Sequence, residues 1–182
     1  MKWHSIPLQF NNMHYTLCPW TGSLLEENKN GERIHEEHPI KLIEALLVCN
    51  NPYLLPPQAT DTYSNKNERL QKLKAKWIIS LCGINLLLAR WYASFSTPFF
   101  SNCSEANAFF HEATSTNERN KLCLPRSLFA AKTSKIFKNS GVILIGVFLP
   151  SRQMHAWIIE DGQQVDPTDK IWHLYQPVAA IC

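Results

Sequence analysis

The chain has 182 residues, 45% of them hydrophobic, and a formal net charge of +3 at pH 7. That is enough chain to bury one core, or one core with a small appended module. The charge is too mild for a nucleic-acid partner, which shows as dense, clustered Lys and Arg, and the start "MKWHSIPLQF" has neither the apolar stretch nor the small-residue cleavage site of a signal peptide.

The most apolar window, residues 77–89, is 13 residues long. A membrane span needs roughly 18–20, so a buried helix is expected there and no span. The six cysteines lie far apart with no C-x-x-C pair. Free thiols in a reducing cytoplasm are therefore expected, rather than a disulfide framework or a structural zinc site.

In chain order, "IPLQF" and "MHYTL" alternate around Asn11-Asn12, which predicts a hairpin because Asn tolerates the positive φ of a tight turn. "CPWTGSLLEE" predicts a turn at residues 19–22 and a helix capped by Ser23. "HPIKLIEALLVCNN" has Ile40, Ile43, Leu46 and Leu47 at helical spacing, ended by Asn50-Asn51-Pro52. Residues 52–67 carry three prolines among polar residues and read as a linker, dividing a module at 1–51 from a domain at 68–182.

Residues 68–95 predict one long helical stretch, amphipathic in front and nearly all apolar behind, closed by Pro98. A helix with Ala106, Phe109, Phe110 and Ala113 on one face follows, then one starting near Leu124 and running about 15 residues toward Gly141. "VILIGVFLP" reads as a central strand, "MHAWIIE" as a second, and "VDPTDK" as the end of a third. Helices first and strands last predict an α+β fold, with an antiparallel sheet packed on helices.

Within this order one constellation carries chemistry. A nucleophilic thiol needs a thiolate, a base and a group that orients the base. Cys123 stands at a predicted helix start, where free N–H groups and the helix dipole favour a thiolate. Pro125 is tolerated there, since first-turn N–H groups lack helical partners. Residues 121–138 add five basic side chains and no acid. Adjacent antiparallel strands would set His155 and Asp166 side by side, within reach of that helix end.

Each residue alone has a plainer reading. Most cysteines are small buried hydrophobes, His155 could be a satisfied core histidine, and Asp166 before Pro167 is a common turn starter. Trp157 and Trp172 read as packing. His111 with Glu112, or His35 with His38, could begin a metal site, but no third ligand has matching spacing. No phosphate-binding G-x-x-x-x-G-K-[ST] loop occurs.

Cys, then H-A-W, then D-P-T, on a helix followed by strands, resembles the transglutaminase-like cysteine enzymes. More closely, residues 121–182 resemble the leader peptidases of lasso-peptide biosynthesis, in which a C-L-x-R-[SA] motif precedes an I-G-V strand and an H-[AS]-W strand. Residues 1–51 weakly resemble the leader-recognition module found with such peptidases.

The resemblance implies a transglutaminase- or papain-like cysteine peptidase with Cys123 as nucleophile, His155 as general base and acid, and Asp166 as its orienter. It implies a ribosomally made precursor as substrate and an asparagine-synthetase-like cyclase as partner. No intrinsic cofactor or metal is implied, and any ATP dependence falls to the cyclase complex. An acyl transferase, or a non-catalytic adaptor that presents a leader, are the alternatives.

Overall fold

The computed structural model describes residues 1–11, 13–27, 39–50, 68–95, 97–114, 122–149, 151–166 and 171–182. Nearest the start, β1 (Trp3–Ser5) leads into a three-stranded antiparallel meander of β2 (Leu8–Phe10), β3 (Met13–Leu17) and β4 (Leu24–Glu27). The predicted hairpin is present: Phe10 pairs with Met13, and Asn11 holds φ 49° at the turn. The helix expected after Ser23 is not. A turn closed by Gly22 N–H to Cys18 O feeds β4, whose Leu24 and Leu25 pair with Leu17 and Thr16. Strand pairing overrides the local helix signal of "SLLEE".

The helix α1 (Ile40–Cys49) ends where expected, but its buried face is Leu42, Ala45 and Val48. Ile40, Ile43 and Leu47, part of the stripe read from the sequence, are exposed. The long helix expected over 68–95 is two: α2 (Glu68–Ile84) and α3 (Leu86–Ser94). Asn85 separates them because its side-chain oxygen accepts the N–H groups of Leu87 and Leu88 at 2.8 and 3.3 Å, which starts a new helix. Nor is the 77–89 window uniformly buried. Ile78 and Ala89 are, while Trp77 is 55% and Ile84 75% exposed. Among the described residues no helix is long and apolar enough to cross a membrane.

Next come α4 (Cys103–Thr114) and α5 (Cys123–Thr133). The first buries Ala106, Phe109 and Phe110, as their spacing predicts. The second is 11 residues long rather than the expected 15 or so, and a separate turn, α6 (Phe137–Ser140), precedes Gly141. Two long strands, β5 (Gly141–Phe148) and β6 (Gln153–Glu160), then form the middle of an antiparallel five-stranded sheet. With β7 (Gln163–Gln164) and β8 (Gln176–Ile181) the order is β1-β8-β5-β6-β7. The fold class is α+β, as the element order predicts.

Alternation along β5 and β6 divides the core between the two faces of this sheet. Ile143, Ile145, Val147, Ala156 and Ile158 meet α2–α5, with Phe109, Phe110, Leu128 and Phe129 at the centre. Val142, Leu144, Trp157 and Ile159 meet α1 and Trp172 on the opposite face. Trp157 and Trp172 are packing residues, with ring centroids 6.3 Å apart. The expected linker lies outside the described residues. From the 1–51 segment, β1 is itself a strand of the five-stranded sheet, paired with β8, and α1 packs on that sheet.

Candidate active site

The helix α5 begins at Cys123 itself, one residue earlier than expected. Pro125 is thus the third helical residue, still within the turn whose N–H groups have no intrahelical partner. Behind it Ser127, Leu128, Phe129 and Ala130 are buried, so the helix that carries the thiol is fixed by the core.

Antiparallel to the strand beneath, His155 pairs with Gly146. A β-bulge between Ile145 and Gly146 shifts the β5–β8 register at this level. Glycine is required at 146 for space: a Cβ there would lie 2.7 Å from the Trp157 ring and 3.0 Å from the Gln176 carbonyl. The 9%-exposed His155 ring stands 5.0 Å from the Tyr175 ring and 6.1 Å from that of Trp157. Two aromatic neighbours restrict how it can turn.

The Cys123 sulfur hydrogen-bonds the His155 side chain and accepts the backbone N–H of Ala156. Burial pushes the thiol pKa up, but the His155 hydrogen bond and charge, the Ala156 N–H and the Arg126 guanidinium outweigh it. The net result lies below the ordinary 9.0. Cys49 and Cys82, where burial dominates, are pushed up to about 12, and buried Cys103 is raised well above its ordinary value. Only Cys18 shares the downward shift, through hydrogen bonds at Thr21 and Trp20 on the meander turn.

A cleft of about 560 Å³ opens onto this pair. Leu17 and Gly22 of the meander, Leu86 at the start of α3, Leu124, Met154 and Tyr175 line it, with Gln153 supplying an amide. The small sheet therefore forms one wall of the space into which Cys123 and His155 face.

Asp166 stands elsewhere in the same neighbourhood. Since β7 is two residues long and Val165 N–H bonds Ile158 O, Asp166 comes level with Trp157, two residues beyond His155 on β6. It is 4% exposed, and its Oδ2 lies 2.6 Å from Arg126 Nη1 and 3.6 Å from His111 Nε2. Arg126 in turn lies 3.1 Å from His111 Nε2. So Cys123 and His155 are joined directly, and Asp166 is joined to the Cys123 helix through Arg126.

Sequence reading missed Arg126, Tyr175 and the Ala156 N–H, and took His111 only as a possible ligand. The signal for Arg126 was its place three residues after Cys123, on the same face of the helix. Tyr175 gave none, because β8 was not read as a strand. His35 and His38 lie outside the described residues, and among the described residues no group of three His, Cys, Asp or Glu side chains could hold a metal ion. Comparison with protein-family models, with curated proteins and with solved structures found no match for this chain.

Proposed function

We propose that the chain is a cysteine peptidase, transglutaminase-like in its helix-then-sheet layout, that removes the leader from a ribosomally made lasso-peptide precursor. The observation that carries the reading is the Cys123–His155 hydrogen bond at a helix amino terminus that faces a cleft. A thiol with a lowered pKa beside an imidazole is the arrangement nucleophilic thiol chemistry needs.

In this reading the Cys123 thiolate attacks the scissile carbonyl at the end of the leader. The oxyanion is met by first-turn N–H groups of α5, which have no helical acceptor. His155 protonates the departing amine, the new amino terminus of the core peptide. It then takes a proton from water as that water clears the thioester, leaving Cys123 as it began. Asp166 is, in this reading, the orienter of His155 and is not itself protonated. The freed amine is what an asparagine-synthetase-like cyclase would close onto an acidic side chain, and that partner is where any nucleotide would be used.

The deciding experiment is mass spectrometry of the chain incubated with a lasso-peptide precursor that carries its leader. Free leader and free core are expected, and Cys123→Ala should abolish both. A cross-linked mass would replace hydrolysis by acyl transfer. Full processing by Cys123→Ala in the presence of the cyclase would make the chain an adaptor and sink the peptidase reading.

A further inference from the structure

A cation buried at 7% exposure demands a reason, since an unpaired guanidinium inside a protein is expensive. Arg126 sits one helical turn after Cys123, and its Nη1 lies 2.6 Å from Asp166 Oδ2. Asp166 lies just past β7, which ends at Gln164, and Val165 still donates its N–H to Ile158 O. The ion pair ties this departing segment to the helix of the nucleophile. His111, on α4, closes the cluster from a third element at 3.1 Å from Arg126. Accepting a guanidinium N–H requires His111 to carry its own proton on Nδ1.

We propose that Arg126 is a positioning residue, whose buried guanidinium anchors Asp166 to the helix bearing Cys123, with His111 as the second support of that guanidinium. This rests on the reading of Cys123 and His155 as nucleophile and base. It explains a Cys-x-x-Arg spacing by geometry: one turn of helix puts Arg126 on the same helix face as Cys123. Among the described residues, charged and titratable groups face Cys123 from three elements: His155 from β6, Arg126 from α5 itself, and Cys82 from α2. Arg126 is the permanent cation among them.

The test uses the full chain in four forms: wild type, Arg126→Lys, Arg126→Gln and the double variant Arg126→Gln with Asp166→Asn. The double variant removes both charges together, so no buried charge is left unpaired and it should fold, as circular dichroism and thermal melting would show. Expected for both Gln-bearing forms is an upward shift in the pH midpoint of Cys123 alkylation by iodoacetamide. On the precursor, kcat should fall by about 100-fold with KM changed far less, the scale of a small misplacement of reacting groups. Arg126→Lys keeps the charge but lacks the planar fork. It should hold the alkylation midpoint near wild type while recovering only part of kcat.

A folded double variant with wild-type kcat and a wild-type alkylation profile overturns the proposal. So does failure of the double variant to fold while Arg126→Lys folds with full kcat, which would make the cluster structural only. Alkylation needs no substrate. If wild type cleaves no precursor, the peptidase reading fails, yet an unchanged or shifted Cys123 profile still decides the charge role of Arg126.

Discussion

Replacing His155 by Ala should silence Cys123 without unfolding the chain. The sulfur lies where burial raises its pKa, and the hydrogen bond and charge of His155 are the largest effects opposing that. Its neighbour Cys82, which has no such partner, is pushed up to about 12. Stripped of His155, Cys123 moves toward that behaviour, held back only by the Ala156 N–H and Arg126. Each unit of upward shift lowers the thiolate fraction at neutral pH about tenfold, or about 1.4 kcal/mol.

The rise from the ordinary 9.0 to the level of Cys82 alone is worth about a thousandfold, and native Cys123 starts below 9.0. The iodoacetamide rate at Cys123 at pH 7.5 should therefore fall by at least about tenfold, with its pH midpoint moved up. Tryptic mapping after timed quenching, in a background with Cys18 replaced by Ser, isolates the Cys123 peptide. An unchanged rate and midpoint in a folded His155→Ala protein would refute the claim that His155 activates this thiol.

In the native protein, Cys18 and Cys123 should be alkylated well ahead of Cys49 and Cys82, and fully buried Cys103 only on unfolding, as a time course in mass spectrometry would show. Gly146→Ala should lower stability by about 1–3 kcal/mol, because the new methyl meets the Trp157 ring at 2.7 Å. Since Gly146 pairs with His155, the same change should also slow Cys123 alkylation. Glu160 accepts the Cys103 N–H at 3.0 Å, and burial raises its pKa above the ordinary 4.5. A raised folded-state value means a contribution that is full below pH 4.5 and lost as pH rises through the folded pKa. Urea melts of Glu160→Gln and wild type from pH 4 upward should therefore diverge, with wild type losing ground as pH rises.

What could be read from residues alone was local chemistry. Asn11 announced a turn because few other residues accept φ 49°. The run "VILIGVF" announced a strand covered on both faces, and β5 is buried through Val147. Misreadings arose where a distant partner decided. "SLLEE" has helix-forming residues behind a capping Ser, but β3 offers it a ladder. Residues 83–86 looked like continuous apolar helix, yet Asn85 caps a second one from inside the run. β1 and β8 pair across nearly the whole chain, Trp3 with Ile181, and neither is long or distinctive enough to declare itself. Cys123 and His155 stood out by their chemistry, and the structure joins them. The link from Asp166 to Cys123 through Arg126 was invisible, because it joins residues on different elements by side-chain reach alone.

The charge around the thiol shows the same distinction between counting and placing. Five basic residues between positions 121 and 138 invite the view that all of them depress the Cys123 pKa. On the described part of that run they do not act together. Lys132 turns away, giving its protons to the carbonyls of Tyr92 at 2.9 Å and Phe95 at 2.5 Å at the end of α3. It lies 4.1 Å from the Tyr92 ring, and burial brings its own pKa down to about 8. Nine positions along α5 from Cys123, it stands roughly 13 Å away along the axis. Among the described residues of this run, Arg126, one turn away and held by Asp166, is the cation whose field reaches the sulfur. A thiolate is favoured by the nearest fixed charge, and the fold fixes this one by burying it against a carboxylate that the helix could not otherwise have met.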